Sequence, residues 1–515
     1  MSKPPLRTAL FILLVAFMST IPTAVMAQST TSSIAGTATD SEGVLPGAVI
    51  TAIHTPSGTR YSTIANQKGA YRFEGLRTGG PYHVEATYVG HNKATAYFSR
   101  LQLGEVYECH LHLADGNELT EVVVKGKNTR KVKTGGSEHI MADEIEKTPA
   151  VERWIDDITR LSPYFMGNAF GERDQGMNNY SIDGANFNFN MGLDRGRLPA
   201  DNRPISIDAL EEVQIVTSAF DVKNSNFMGA SVNMVTKKGT NTFRGTAYTF
   251  FKNEYLRGNE VGGEFLGKRE REQRNIYGIT LGGPILKDKL FFFVNGEYEH
   301  SPYPIYKWNL SADGKADASK LISRVTDADM AAFAGVLKNK YGWDPGSWND
   351  FSGNNDTYRL LARLDWNISD KHHAMLRYNF TGKTKDNPAS GGGLVNTPVS
   401  AYSQTFRGST WQRKDNVHSL TLEVNSMLPK QIHNTLRASF TFNDANNRES
   451  EAAFPTIEIQ KEDEGGVSRP FMNAGYDQHA WNNGIKERVW NVEDYATMLV
   501  GNHFQIGRAS CRERV

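Results

Sequence analysis

Two neighbouring stretches, residues 357–368 (TYRLLARLDWNI) and 373–381 (HAMLRYNFT), decide the fold of this chain. In the first stretch apolar residues occupy the even positions, and Arg359, Arg363 and Asp365 lie between them. The second stretch alternates in the same way. A period of two places the apolar side chains on one face of a strand and the charged ones on the other. The polar residues 369–372 form a short turn, so the pattern predicts an antiparallel hairpin.

The length of this hairpin indicates a membrane strand pair. Each strand runs for roughly 10 residues, which is enough to cross a bilayer at a tilt. Tyr358 and Trp366 lie near strand ends, where membrane barrels place aromatic residues. A hydrophobic content of 39% and a mean hydropathy of −0.49 also suit a barrel, because its inner face is polar.

Composition excludes several other classes of protein. The 515 residues include 57 basic and 57 acidic side chains, which gives no basis for a nucleic-acid partner. Two cysteines exclude a disulfide framework and a multi-cysteine metal site. No nucleophile, zinc-protease or P-loop motif occurs, so we predict no enzyme activity, no catalytic residue, no cofactor and no metal. Four histidines are interpreted as surface or edge residues: His83, His91, His110 and His112. Two adjacent acidic pairs are interpreted as solvated side chains: Asp156 with Asp157, and Glu211 with Glu212.

The N-terminus has the features of a secretory signal peptide. Lys3 and Arg7 precede an apolar run, TALFILLVAFM (8–18), that is too short to span a membrane as a helix. Small residues precede Gln28, so cleavage is predicted after Ala27. Residues 1–27 are therefore assigned to a signal peptide.

Residues 33–113 predict a small β-sandwich, because short β-prone runs alternate with Gly and Pro turns at steady spacing. The spacing of GTATD (36–40), GVLPGA (43–48) and NQKGAYRF (66–73) resembles the carboxypeptidase-regulatory-like domain, an accessory domain without peptidase chemistry. This domain is assigned to residues 28–116. The next run, LTEVVVK (119–125), can be the last strand of the sandwich or a segment that adds to a partner's sheet, and taken alone it favours the former.

Residues 140–238 predict two short helices, a Gly- and Asn-rich region, and β-strands that include YSIDG (180–184). The order IDALEEVQIV (207–216) and FMGASVNMVTKKGTN (227–241) resembles the end of the plug domain of TonB-dependent outer-membrane transporters. The plug is assigned to residues 137–242. The resemblance implies that residues 117–136 are a TonB box and linker. The box comprises Thr120, Glu121, Val122, Val123 and Val124.

From residue 243 onward, strands are joined alternately by short and long connections, as in outer-membrane barrels. A soluble β-sandwich is the alternative fold, although it would not require short and long connections to alternate. About nine strands are predicted, far fewer than the 22 of plugged transporters, so the barrel over 243–505 is expected to be incomplete and C-terminally truncated. Residues 506–515 neither alternate nor end in an aromatic, and we interpret them as a non-native tail.

The predicted fold class is thus mostly β, with a signal peptide, a small β-sandwich, an α+β plug and an incomplete antiparallel transmembrane β-barrel. The chain is similar to the Oar-like branch of the TonB-dependent family. The resemblance implies a protein of the cell outer membrane, with its N-terminal domain and plug base facing the periplasm. It implies TonB-dependent uptake of a bulky nutrient. A non-transporting adhesion or signalling receptor is the alternative.

The resemblance also implies partners. These are TonB with its inner-membrane energising complex, outer-membrane lipid and an unknown substrate, and a surface lipoprotein is a further candidate. The aromatic residues of the Gly- and Asn-rich plug region are the candidate ligand contacts, because stacking and hydrogen bonding need no charge; they are Tyr164, Phe170, Tyr180, Phe187 and Phe189. Ordinary packing of plug loops is the alternative role for this region.

Overall fold

The computed structural model describes most of the chain after the predicted signal peptide, which lies outside the described residues. The described residues are 30–115, 123–125, 136–166, 169–170, 175–191, 197–217, 228–265, 272–349, 351–389, 399–450, 454–477, 480, 483–501 and 503–514. They form a small sandwich, a plug, and a nine-stranded sheet that we call the wall.

The sandwich consists of two sheets packed face to face. Its strands are β1 (Ser32–Thr39), β2 (Val49–His54), β3 (Thr59–Ile64), β4 (Ala70–Leu76), β5 (Tyr82–Thr87), β6 (Ala94–Phe98), β7 (Val106–Glu108), β8 (Leu111–His112) and β9 (Val123–Lys125). One sheet has the order β4-β1-β7 with β8 beside β1, and the other has the order β3-β2-β5-β6-β9. Alternate residues of both sheets, such as Ile50, Tyr71 and Val84, fill the core.

The plug contains one five-stranded mixed sheet with the order β10-β15-β16-β13-β14. Its elements are β10 (Ser137–Met141), α1 (Ala142–Lys147), α2 (Ile155–Thr159), β11 (Phe165–Met166), β12 (Ala169–Phe170), β13 (Asn179–Ile182), β14 (Ala185–Asn186), α3 (Pro199–Asn202), β15 (Leu210–Val216) and β16 (Ser231–Thr236). All six residues of β16 are buried, because the sheet is covered on both faces.

The remaining strands build the wall and its connections. In chain order they are β17 (Arg244–Asn253), β18 (Glu260–Val261), β19 (Glu264–Phe265), β20 (Gln273–Leu286), β21 (Leu290–His300), β22 (Tyr303–Pro304), β23 (Asn309–Ser311), β24 (Ile322–Thr326), helix α4 (Asp327–Tyr341), β25 (Ser352–Gly353), β26 (Asn355–Ser369), β27 (His372–Asn387), β28 (Gln404–Thr405), β29 (Trp411–Leu428), β30 (Ile432–Ser450), β31 (Ile457–Glu462), β32 (Ser468–Ala474), β33 (Ile485–Val500) and β34 (His503–Arg514). The wall is antiparallel throughout, with the order β17-β20-β21-β26-β27-β29-β30-β33-β34.

The decisive hairpin is β26 and β27, and its faces are those that the alternation predicts. Tyr358, Leu360 and Trp366 are about half exposed on the outer face, whereas Arg363 and Arg377 are buried on the inner face. The plug lies against that inner face, so the charged side chains are covered by protein. The strands are longer than predicted, with 15 and 16 residues, because pairing continues past the apolar stretch.

The short and long connections lie at opposite ends of the wall. Two short turns lie against the sandwich. Beside the turn at Asp370, Asn367 donates to the Thr59 hydroxyl at 2.9 Å. In the turn between β29 and β30, Gln431 donates to the Ile64 carbonyl at 2.8 Å. The long connections gather at the other end. No helix in the described part of the chain is both long and apolar enough to cross a membrane. The described part of the suspected tail pairs along β33 as strand β34, and its non-native origin stays a prediction.

Candidate functional site between plug and wall

The loop between β13 and β14 is the point at which the plug is tied most closely to the wall. Asp183 and Gly184 both have positive φ, 43° and 79°, which makes a tight turn. Arg363 donates to Asp183 at 3.0 Å and to Asp365 at 2.9 Å. Arg377 donates to the Ile182 carbonyl at 2.7 Å and lies 3.6 Å from the Asp183 carboxylate. The wall thus holds this turn by charge and by backbone contact.

Gly184 is required at this turn by a close approach as well as by its φ. A Cβ at this position would run into the Arg437 guanidinium. Arg437 itself is ion-paired with Glu423 at 2.6 Å and with Glu493 at 3.2 Å, so it cannot easily move away. Arg437 also donates to the Thr30 hydroxyl at 2.7 Å, which brings the first described residue of the chain into the same cluster.

A second charged cluster holds the plug segment around Arg203. Arg359 of the wall donates to Glu297 at 2.6 Å and to Glu299 at 3.0 Å, and its Nε donates to the Arg203 carbonyl at 3.1 Å. Arg203 and Arg274 both pair with Glu299. All five side chains are buried. Because a buried charge is tolerated only when it is paired, this cluster favours one fixed position of the plug.

Four of the five predicted ligand contacts lie inside the plug. Phe170, Tyr180, Phe187 and Phe189 are at most 3% exposed, and Phe187 packs under the Arg377 guanidinium at 5.6 Å. Tyr164 differs, because it is 53% exposed. As the structure stands, only Tyr164 can contact a ligand directly. The ligand-binding role of all five stays a prediction.

The described part of the predicted TonB box lies on the sandwich. Val123, Val124 and Lys125 form β9, which pairs in parallel with Thr95, Ala96 and Tyr97 of β6. Thr120, Glu121 and Val122 lie outside the described residues. The segment therefore takes the position that the residues alone favoured, the last strand of the sandwich. Because β9 ends the sheet order, its second edge faces away from the sheet.

The interface between sandwich and plug is centred on His139 of β10. Its Nδ1 lies 2.8 Å from Glu212 Oε1 of the plug, and its Nε2 lies 3.1 Å from Glu105 Oε1 of the sandwich. Burial disfavours the charged imidazole, but hydrogen bonds and the charges of the two carboxylates outweigh it and raise the pKa of His139. Glu212 also accepts from the Leu103 amide at 2.9 Å, so this carboxylate joins both domains.

The prediction that the acidic pairs are solvated is wrong for three of the four residues. Asp156, Asp157 and Glu212 are at most 7% exposed. Asp157 accepts from the Glu152 amide at 3.0 Å at the start of α2, and Glu212 has the partners described above. Adjacent side chains do point apart, as expected. These three are nevertheless buried, because the plug is enclosed by other domains and is covered by protein on both sides.

The long connections form a second hydrophobic core at the outer end of the wall, which the sequence did not predict. We call the unit of residues 309–348, 399–410 and 454–477 the outer cap. Helix α4 packs Met330, Phe333 and Leu337 against Phe406 and Phe471. Trp343 stacks on Phe454 with ring centroids 4.4 Å apart. The helix had a sequence signal, because Thr326 and Asp329 form a capping box and Gly342 ends the helix with φ 69°.

In the described part of the chain, no three His, Cys, Asp or Glu side chains are arranged to hold a metal ion. His110 and His112 are exposed, and each lies near a threonine hydroxyl of β1. The plug, the wall and the box strand β9 are therefore the features from which function is inferred.

Two family models match this architecture. The carboxypeptidase regulatory-like domain matches residues 33–114, and the outer membrane beta barrel domain matches residues 235–304. The chain therefore contains a carboxypeptidase regulatory-like domain and, after it, a stretch of an outer membrane beta barrel domain. It is similar to the TonB-dependent transporter Oar of Myxococcus xanthus, with 26% identity over 289 residues. That alignment covers 53% of this chain and 25% of the relative, so the chain spans about a quarter of it.

Solved structures with a similar outline include the outer membrane transporter YddB from Escherichia coli, with a TM-score of 0.48 and 12% identity over 73% of this chain and 48% of that chain. The siderophore receptor PirA from Pseudomonas aeruginosa has a TM-score of 0.43 and 12% identity over 74% of this chain and 48% of that chain. The predicted family, the mostly β architecture and the outer-membrane location are confirmed. The curated relative is named as a transporter, which agrees at the level of the family with the prediction of a non-enzyme.

Proposed function

We propose that the chain takes up a bulky nutrient across the outer membrane and is driven by TonB. The observation that carries this proposal is the position of β9. It is a terminal strand of three described residues, held on one side by β6, and no described strand pairs with its other edge, which could accept an added strand. Main-chain hydrogen bonds to an added strand are a common way to bind a peptide segment. TonB, with its inner-membrane energising complex, is the partner that we propose.

The topology of the plug supports a mechanical role for this contact. Among the described residues, β10 is the first plug strand after the box and an edge strand of its sheet, and its one strand partner is β15. Its first residue, Ser137, lies opposite Val216. A pull on the preceding segment would load this end first and open the β10–β15 pairs one after another. Sequential opening needs less force than breaking the whole ladder at once, so the plug can yield locally while β16 and β13 stay paired.

The charged clusters limit how much of the plug opens under such a pull. Asp183 and Arg203 tie the remaining plug to buried arginines and glutamates of the wall. Leaving a buried charge without its partner costs about 3–5 kcal/mol. Several such charges tie Asp183 and Arg203 to the wall, whereas β10 contributes one, at His139. We therefore expect the β10 side of the plug to move and the β13 side to remain docked. Cargo would be recognised at the outer end, where the outer cap and Tyr164 are the candidate contacts, alone or with a surface lipoprotein.

The experiment replaces the box residues one at a time. Adjacent amides of a strand point to opposite edges, so Val123→Pro and Val124→Pro each remove one donor, one facing β6 and the other facing the open edge. Val123→Thr and Val124→Thr retain both amides and are the matched controls. Disulfide capture by the periplasmic domain of TonB should fall at least tenfold for the proline variant whose donor faces the open edge, and stay near wild type for both threonine variants.

Transport is measured by depletion of nutrients from the medium of expressing cells, with and without TonB. Depletion that requires both the chain and an intact box supports uptake. Equal depletion by the proline variants, or in cells without TonB, contradicts it.

An adhesion or signalling receptor is the second candidate function. The outer cap favours it, because a loop unit with its own hydrophobic core presents a fixed surface for recognition. Cells that bind a partner through the cap while depleting no nutrient, with or without TonB, would establish this alternative.

A further inference from the structure

A cavity lies where the sandwich, the base of the plug and the first wall strands meet. Its volume is about 410 Å³, and it is lined from all three units, with Arg77 from the sandwich, Lys238 from the plug and Thr280 from the wall. Five basic and three acidic side chains line it. The cavity thus has an excess of positive charge before any pairing is considered.

Two of the basic side chains are already paired with two of the acidic ones. Arg100 lies 2.8 Å from Asp143, and Lys237 lies 3.4 Å from Glu146. The third acidic side chain, Glu211, acts on Arg100 at longer range. Of the three remaining basic side chains, Arg244 is exposed, which leaves the inner part of the cavity to Arg77 and Lys238.

Arg77 is the side chain that the protein leaves incompletely satisfied. It is 8% exposed, and its Nη2 donates to the Gly239 carbonyl at 3.0 Å. Its Nε and Nη1 are buried and have no hydrogen-bond partner among the described residues. The guanidinium also lies 5.6 Å from the Phe291 ring centroid. Within the described residues, Arg77 has no ion pair within 4 Å, and an unpartnered buried guanidinium is costly.

Lys238 repeats this situation from the plug side. Its closest polar contact is the Thr78 hydroxyl at 3.5 Å, and within the described part of the chain it has no carboxylate within 4 Å. Burial, together with the charges of Arg363 and Arg77, lowers the pKa of Lys238 to about 8. Burial and the charges of Arg77 and Lys238 also lower the pKa of His54, which lines the cavity.

The nearest carboxylates on the wall side are occupied by other partners. Asp365 accepts from Arg363 with both oxygens, each at 2.9 Å. Asp183 accepts from Arg363 and from Thr236. They act on Arg77 and Lys238 only as more distant charges. The buried Arg77 of the sandwich and the half-buried Lys238 of the plug therefore both line this cavity, and among the described residues neither has a carboxylate within 4 Å.

We propose that this cavity binds a phosphate-type oxyanion between Arg77 and Lys238. Arginine and lysine are the side chains that bind phosphate in proteins. Arg77 has three N–H groups, on Nε and Nη1, that no described residue accepts, and a shift of the buried guanidinium toward the cavity would let them donate to the oxygens of the anion. The Thr78 hydroxyl adds a neutral donor. Because Arg77 belongs to the sandwich and Lys238 to the plug, the anion would join the two domains at the periplasmic mouth of the wall.

The test uses the full chain in detergent micelles free of phosphate. Inorganic phosphate is titrated while binding is followed by calorimetry and the melting temperature by intrinsic fluorescence, with sodium chloride at matched ionic strength as the reference. We expect saturable binding of one phosphate per chain and a rise in melting temperature that chloride does not give. Arg77→Gln and Lys238→Gln should each weaken binding at least tenfold. The matched control, Lys237→Gln, removes a neighbouring cation that is already paired and should stay within about twofold of wild type.

A second arm identifies the source of the oxyanion. The same proteins are placed in nanodiscs of phosphatidylcholine with and without 30% phosphatidylglycerol, and retained lipid is measured by native mass spectrometry. Retention of phosphatidylglycerol that needs Arg77 and Lys238 assigns a lipid headgroup, whereas phosphate binding without lipid retention assigns a free phosphate. Arg77→Lys keeps the charge and covers the case in which Arg77→Gln does not fold. No saturable binding by the wild type in either arm, or equal binding by Lys238→Gln and Lys237→Gln, would overturn the proposal.

Discussion

Asp183→Asn is the substitution that tests most directly how the plug is held. Asp183 is 1% exposed, and its carboxylate accepts from the Thr236 amide and hydroxyl and from Arg363. Its backbone has φ 43°, a conformation that asparagine adopts as readily as aspartate. The shape of the side chain is also retained. The substitution therefore removes one charge and leaves the turn intact.

The expected loss of stability follows from the ion pairs that Arg363 and Arg377 keep after the substitution. Arg363 still pairs with Asp365 at 2.9 Å, so it remains compensated. Arg377, which is fully buried, has Asp183 at 3.6 Å as the one carboxylate within 4 Å that the described residues provide. Leaving a buried charge without its partner costs about 3–5 kcal/mol. Because one arginine stays paired, we expect the low end, about 3 kcal/mol, which is roughly a hundredfold in the opening equilibrium of the plug.

Hydrogen exchange of the β13 and β16 amides in increasing urea measures this equilibrium. Asp156→Asn is the matched control, because Asp156 is also a buried plug carboxylate but accepts only from the Asn202 amide, at 3.3 Å, and has no cation as partner among the described residues. Burial raises the pKa of Asp156, so its neutral analogue should be harmless. Equal protection factors in the two variants, or a loss of less than about 1 kcal/mol in Asp183→Asn, would show that charge does not hold the plug.

Three further expectations concern other parts of the molecule. The raised pKa of His139 means that its contribution to docking of the sandwich is complete below pH 6.5 and is lost as pH rises through the raised value; the protection factor of the Leu103 amide, which is the intrinsic exchange rate divided by the observed one, should fall above that range in wild type and be independent of pH in His139→Gln. On the outer face of the wall, Leu376→Arg near mid-strand should cost about 2–4 kcal/mol in lipid-vesicle unfolding, whereas Ile368→Arg beside the turn should cost about 0–1 kcal/mol; similar losses would argue against a lipid-facing surface. Tyr164→Ala should impair uptake without altering stability, whereas Phe187→Ala should destabilise the plug by about 3–5 kcal/mol, and the reverse pattern would contradict the burial of these residues.

The wall was predictable from the sequence because its signal is local. Alternation along 357–381 fixes which side chains face outward, and pairing of β26 with β27 adds only the register. The two short helices predicted within residues 140–238 are also found, at Ala142–Lys147 and Ile155–Thr159. In the hairpin, the period is sufficient because one face of each strand is covered and the other is exposed.

The charged clusters were not predictable, because each depends on which residues face one another across domains. Arg363 and Asp183 are 180 residues apart, and Arg437 and Thr30 are 407 apart. Nothing in the neighbourhood of Glu212 distinguishes it from the half-buried Glu211, yet Glu212 joins two domains. The outer cap was missed for the same reason. Its core combines residues from three connections, and only the capping residues of α4 gave a local signal.

Two sets of cations, Arg363 in one and Arg77 with Lys238 in the other, lie near one another around a shared pocket, and they differ in one respect. Arg363 is matched by Asp183 and Asp365, so it stabilises the docked plug without any further component. Arg77 and Lys238 have no carboxylate within 4 Å among the described residues, so they oppose docking until an anion enters. Removing Asp183 should therefore weaken docking at every phosphate concentration. Removing Lys238 should remove only the part of the stability that phosphate adds. If Lys238→Gln instead lowered stability in the absence of phosphate, as Asp183→Asn is expected to do, both clusters would be structural ion pairs and the cavity would have no ligand.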